Sequence, residues 1–224
     1  MISYGKQSIN QDDIDAVVDV LKSDFLTQGP KVVEFENDLA NYCEAKYAKA
    51  VNNGTAALHL AYLAIGLEQG DIVWTTPNTF VATANAALYC GATVDFVDID
   101  PKTYNLSIDY LKEKLIQAKK DNKLPKLVVP VHFAGQSCEM KAIWKLSKEY
   151  GFKVIEDACH ALGGEYLNNK VGSCEYSDMA VFSFHPVKMI TTGEGGAITT
   201  NNKQLNEKID LLRSHGITKD ATKF

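Results

Sequence analysis

The chain has 224 residues, enough for one large domain with its own core. Hydrophobic residues make up 46% and charged residues 23%, which excludes a disordered or collagen-like chain. The formal net charge is −5 with no long basic run, so no nucleic acid and no membrane surface is an expected partner, though a small phosphorylated ligand needs only a local site.

Asn10 caps a predicted helix in which Ile14, Val17, Val18 and Leu21 recur at helical spacing. Gly29-Pro30 interrupts the chain, and Val32, Phe35, Leu39 and Tyr42 mark a second helix. A strand over 47–52 ends at Asn53-Gly54, and the helix that follows is apolar nearly all round, as a buried helix is. Strands at 72–75, 93–99, 127–133 and 153–156 then alternate with helices at 80–89, 108–119 and 140–150. This alternation predicts an α/β fold, a mostly parallel sheet flanked by helices. Such sheets bind ligands beyond the carboxyl ends of their strands. Short strands at 179–184 and 196–200 and a helix at 203–214 complete the pattern, and residues 216–224 are polar.

No stretch reaches about 18 uninterrupted apolar residues, so no spanning helix is expected. The opening residues lack a basic region leading into an apolar one, so no signal peptide is expected either. The five cysteines (Cys43, Cys90, Cys138, Cys159 and Cys174) contain no C-x-x-C pair, which argues against a disulfide framework or a zinc ribbon. Buried thiols in a reducing compartment, the cytoplasm, are the expectation.

Four segments carry candidate chemistry. Lys188 closes the segment Ser183-Phe184-His185-Pro186-Val187-Lys188, follows the apolar strand at 179–184 and precedes the glycine-rich Thr192-Gly193-Glu194-Gly195-Gly196. A sheltered lysine can attack a carbonyl to form a Schiff base, whereas a solvated loop lysine does nothing of the kind. Asp157 ends a buried strand, where an anion needs a cationic or N–H partner. That partner is the protonated nitrogen of a pyridine cofactor, a helix end or a structural ion pair. A metal site built from Glu156, Asp157, Cys159 and His160 is the weaker alternative, because no second ligand cluster accompanies it. Asn53-Gly54-Thr55-Ala56 makes a strand–turn–helix start, either an anion cradle or an ordinary capped turn. Phe80 lies where a strand gives way to a helix, placed to stack on a planar ring or to pack in the core.

Together these segments resemble the pyridoxal-phosphate sugar aminotransferases of the DegT/DnrJ/EryC1/StrS group, a branch of the aspartate-aminotransferase fold. The 183–188 and 192–197 segments match best, and Tyr4, Leu26-Thr27-Gln28-Gly29 and Arg213-Ser214-His215-Gly216 match as well. The resemblance implies pyridoxal 5'-phosphate as cofactor, with pyridoxamine phosphate as its intermediate form. It implies L-glutamate as amino donor and a UDP-linked 4-keto-6-deoxy-N-acetylhexosamine, of the pseudaminic acid type, as acceptor. It implies Lys188 as the Schiff-base lysine and Asp157 as the partner of the pyridine nitrogen. Gly54, Thr55, Ser183 and the Ala56 N–H would bind phosphate, Phe80 would stack on the ring, and His160 would lie near its 3′ oxygen. Tyr4, Asp24, Phe25, Leu26 and Thr27 would line the sugar-nucleotide pocket, with His185 either there or packed near the lysine. No metal is implied. Family members continue into a smaller C-terminal domain that helps complete the site across a homodimer interface. Residues 1–224 are therefore expected to be the cofactor-binding large domain, an N-terminal portion.

Overall fold

The structure is a computed structural model and describes residues 5–217. The first helix, α1 (Gln11–Lys22), is closed by a capping box: the Asn10 side chain accepts the Asp13 N–H at 3.1 Å, and the Asp13 carboxylate accepts the Asn10 N–H at 2.9 Å. No α1 residue is buried; its apolar stripe of Ile14, Val17 and Leu21 stays exposed. The next helix, α2 (Pro30–Tyr42), starts with proline at its first position and buries Glu36, Leu39 and Ala40.

The remaining elements alternate as the sequence pattern requires. They are β1 (Tyr47–Val51), α3 (Gly54–Ala64), β2 (Ile72–Thr75), α4 (Ala82–Tyr89), β3 (Thr93–Phe96), α5 (Ile108–Lys120), β4 (Leu127–Val129), α6 (Met140–Tyr150) and β5 (Lys153–Asp157). A short hairpin, β6 (Glu165–Tyr166) and β7 (Asn169–Lys170), precedes β8 (Met179–Ser183), β9 (Gly196–Thr200) and α7 (Lys203–Arg213). Seven strands form one sheet in the order β1-β9-β8-β5-β4-β2-β3. The pairs β2–β3, β2–β4, β4–β5 and β5–β8 are parallel, and only β9 runs against the others.

Period-two alternation along the strands divides the core. Val73, Leu127, Val129, Ile155, Met179 and Val181 face α3, α4 and α7, while Trp74, Val128 and Val154 face α5 and α6. Ala180 and Phe182 meet α2 through Leu39 and Ala40. Covered on both faces, β4 is apolar without interruption.

Element ends differ from the sequence expectation where side chains intervene. The strand expected over 127–133 stops at Val129, because Pro130 has no N–H to give to the ladder. Val131 still bridges Asp157, and a 3₁₀ turn, Phe133–Gly135, follows. The β6–β7 hairpin turns through Leu167 and Asn168, both at positive φ (50° and 66°). Among the described residues, no helix is long and apolar enough to cross a membrane.

Candidate functional site

The strands that run one way end at one edge of the sheet, and a cavity of about 420 Å³ opens there. The turn from β1 into α3 supplies one wall. Asn53 caps α3 with its side chain, which accepts the Ala56 N–H at 2.7 Å, and with its carbonyl, which accepts the Ala57 N–H at 3.0 Å. The N–H groups of Gly54 and Thr55 have no acceptor within the helix, and the positive end of the helix dipole adds to their pull on an anion. A Cβ on Gly54 would lie 3.0 Å from the Ser183 Cβ, and one on Gly196 only 2.4 Å from the Asn53 carbonyl oxygen. Two glycines thus let the turn settle against β8 and β9.

The end of β5 supplies the opposite charge. Asp157 is buried, and its carboxylate accepts the Thr83 hydroxyl at 2.6 Å and the Cys159 N–H at 3.3 Å. Its backbone is clamped by Pro130 and His132 (N–H to the Pro130 carbonyl, 2.9 Å; carbonyl from the His132 N–H, 3.1 Å). Glu156, one residue earlier, points to the other face of the sheet by the strand's alternation. There it meets His132 Nε2 at 2.7 Å and the Ser177 hydroxyl at 2.5 Å. Burial opposes an imidazolium at His132 and the Glu156 carboxylate favours one. The backbone N–H of Cys138, aimed at Nδ1 from 3.2 Å, decides for a neutral ring that carries its proton on Nε2.

Lys188 rides on the connection from β8 to β9. Phe184 anchors that loop: its ring is buried edge-on to Phe35 (5.3 Å, 87°), and its N–H bonds to the Gly195 carbonyl at 2.8 Å. Its carbonyl accepts the Thr192 N–H at 3.1 Å and the Thr191 hydroxyl at 2.9 Å. Lys188 is half-buried at the cavity, with its N–H on the His185 carbonyl at 2.8 Å. Burial, and then the Lys188 charge, hold the His160 imidazole below its ordinary value, against a smaller opposite pull from Asp157. Burial and Asp157 push the Cys159 thiol well above its ordinary range. Phe80 lines the rim with 71% of its surface exposed.

Of the residues singled out in the sequence, Gly54, Thr55, Phe80, Asp157, His160, Ser183, His185 and Lys188 line this one cavity. The Ala56 N–H expected to join the phosphate cradle is engaged with Asn53 instead, and Ala56 does not line the cavity. Asp24, Phe25, Leu26 and Thr27, expected in a sugar pocket, are exposed between α1 and α2 and do not reach it. Tyr4 lies outside the described residues. Glu156 faces away, so the four-residue metal alternative does not assemble, and no group of three or more metal-ligating side chains occurs among the described residues. Sequence reasoning missed the Thr83 bond to Asp157 and the His132–Glu156 pair. The Thr79-x-x-x-Thr83 spacing, one helical turn at a strand end, was the available signal for the first.

The fold is that of the aminotransferases: the structure of Helicobacter pylori PseC, an "aminotransferase involved in the biosynthesis of pseudoaminic acid", superposes with a TM-score of 0.89 at 40% identity, covering 98% of this chain and 57% of that one. The chain belongs to the DegT/DnrJ/EryC1/StrS aminotransferase family, whose profile matches residues 7–224. The UDP-4-amino-4,6-dideoxy-N-acetyl-beta-L-altrosamine transaminase of Campylobacter jejuni (serotype O:23/36) is 50% identical over 219 residues, 98% of this chain and 56% of that protein. The PLP-form of the putative sugar aminotransferase Spr1654 from Streptococcus pneumoniae superposes with a TM-score of 0.86 at 28% identity, over 98% of this chain and 59% of that one. The chain therefore spans a little over half the length of these relatives.

Proposed function

We propose that this chain is the cofactor-binding part of a pyridoxal 5'-phosphate-dependent nucleotide-sugar aminotransferase. The amino group comes from L-glutamate and goes to the 4-keto carbon of a UDP-linked 4-keto-6-deoxy-N-acetylhexosamine, toward pseudaminic acid-type glycans. The observation that carries this reading is the convergence of Lys188, Asp157 and the free α3 N-terminus on one cavity. The 50% identity to the altrosamine transaminase supports the choice of acceptor. Cytoplasmic location and a homodimer belong to the same reading, supported by the family alone.

The residues fit the cofactor. Pyridoxal phosphate, when bound, supplies an electron sink and, as pyridoxamine phosphate, a carrier for the amino group. The Gly54 and Thr55 N–H groups, with the Thr55 and Ser183 hydroxyls, hold its phosphate. The buried Asp157 carboxylate keeps a proton on the ring nitrogen. Phe80 offers its exposed face to the ring. Lys188 would anchor the cofactor through its amine and, once freed by the incoming donor amine, would carry the proton between Cα of the donor and the cofactor's C4′, acting as general acid/base in each half. His160, held neutral at pH 7, donates or accepts at the ring oxygen without adding charge. Tyr4 and the 24–27 segment are assigned to the sugar side by resemblance, and His185 stands at the mouth.

The test is a single turnover. The chain loaded with pyridoxal phosphate and given L-glutamate should release one equivalent of 2-oxoglutarate, and Lys188→Ala should release none. Cofactor binding without 2-oxoglutarate would reduce the chain to a binding module; equal release by Lys188→Ala would refute the assigned lysine.

A further inference from the structure

We infer that Thr83, buried beneath the cavity, is a positioning residue that holds Asp157 ionised and aimed, through a hydroxyl chain reaching the cavity wall at Thr79. The inference rests on the reading of Asp157 as partner of the cofactor's ring nitrogen. Thr83 is fully buried on the first turn of α4, among Ala82, Ala86 and Ala87 of the apolar core. A hydroxyl in such surroundings is costly unless it is hydrogen-bonded. Here it has two partners, Asp157 Oδ2 at 2.6 Å and the Thr79 hydroxyl at 2.8 Å. The Tyr62 hydroxyl donates to the Thr83 carbonyl at 3.0 Å and fixes the backbone that carries it.

The direction of the chain follows from counting protons. An ionised carboxylate only accepts, and a hydroxyl has one proton to give. Thr83 therefore donates to Asp157, and Thr79 must donate to Thr83. Thr79 lines the cavity, so the chain of hydroxyls runs from the cavity wall to the carboxylate. Were Asp157 protonated on Oδ2, both bonds would reverse. The carboxylate also takes the Cys159 N–H at 3.3 Å on Oδ1, longer and from the backbone, and meets the Cys159 thiol, a weak donor. Thr83 thus gives Asp157 its shortest side-chain hydrogen bond, the one that most stabilises the charge. It biases the shared proton toward the ring nitrogen and away from the carboxyl.

The test is the ¹⁵N chemical shift of ring-labelled pyridoxal phosphate bound to the chain, which reports where that proton sits. Wild type should show a protonated ring nitrogen. Thr83→Val, equal in shape without the hydroxyl, should move the proton's partition toward the carboxyl by about ten-fold or more, the worth of one hydrogen bond to a charged group. Thr83→Ser, which keeps the hydroxyl, should restore the wild-type shift, an outcome that packing alone does not explain. If Thr83→Val does not fold, Thr79→Val carries the test, with a smaller move in the same direction. A wild-type shift in the folded valine variant overturns the inference alone. A wild-type shift in Asp157→Asn removes Asp157 from the ring nitrogen and overturns both readings.

Discussion

Gly196 shows how little room single positions leave. A Cβ there would lie 2.4 Å from the Asn53 oxygen, 2.5 Å from its carbonyl carbon and 2.8 Å from the Gly54 nitrogen, all backbone atoms that cannot rotate aside. Gly196→Ala should destabilise the fold by about 1–3 kcal/mol, the usual range for an overpacked site. It should also weaken pyridoxal phosphate binding, because the displaced atoms belong to the phosphate cradle. Denaturant unfolding and a cofactor titration check the two effects separately; an unchanged affinity would detach Gly54 from phosphate. His160 carries a pH dependence. Its pKa is depressed below 6.5 in the fold by burial and Lys188, so between 6.5 and its lower folded value the unfolded chain binds the extra proton. Stability contributed by the neutral ring is present above 6.5 and lost as pH falls through that window. Unfolding curves at falling pH should show the loss, and His160→Gln should lose less than wild type; parallel losses would acquit His160. At this scale the sequence was most legible at Asn53-Gly54-Thr55, a strand–turn–helix start in which Asn53 is the N-cap of α3. Thr83 left only its spacing from Thr79 as a signal, because a threonine by itself looks the same whether it caps a helix, packs in a core or holds a carboxylate.

Between elements, charge does what apolar packing does elsewhere. Glu36 on α2 is buried and bonded to Arg213 on α7, and it also accepts the Ala50 N–H of β1 at 3.0 Å. Lys49 lies 3.5 Å from its second oxygen and 3.2 Å from Asp210, which in turn meets Arg213 at 2.8 Å. Arg213 also donates to the Ala50 carbonyl at 3.1 Å. Glu36→Ala takes the buried carboxylate from Lys49 and Arg213, leaves them only the half-exposed Asp210 to share, and should cost up to about 3 kcal/mol, the low end for breaking a buried pair. A change below about 0.5 kcal/mol would show that the network contributes nothing. By contrast α1 buries no residue, and Val17→Ser on its exposed stripe should stay within about 0.5 kcal/mol. Helix periodicity placed α1 and α2 and bounded α5 and α6 nearly to the residue. It did not say which apolar stripe is covered, since Ile14 and Leu39 sit in similar patterns and only Leu39 is buried. The β6–β7 hairpin escaped notice because its turn residues, Leu167 and Asn168, lack the Asn-Gly signature that left-handed turn positions favour.

For the whole molecule, the sheet is the device that makes one site of distant segments. Residues 53–55, 79–83, 157–160 and 183–188 meet because β1, β2, β5 and β8 point the same way and end at the same edge. The alternation of strands and helices made that edge legible in advance. The reversal of β9, which lets the β8–β9 loop present Lys188, was not, because short strands after Asp157 carry no sign of their direction. The most direct measurement is peptide mapping after incubation with pyridoxal phosphate and reduction with borohydride, which freezes any lysine–cofactor link. A single reduced adduct at Lys188, lost in Lys188→Ala, is the expected result. Adducts scattered over surface lysines with Lys188 unmodified would contradict a cofactor site at the carboxyl edge of this sheet.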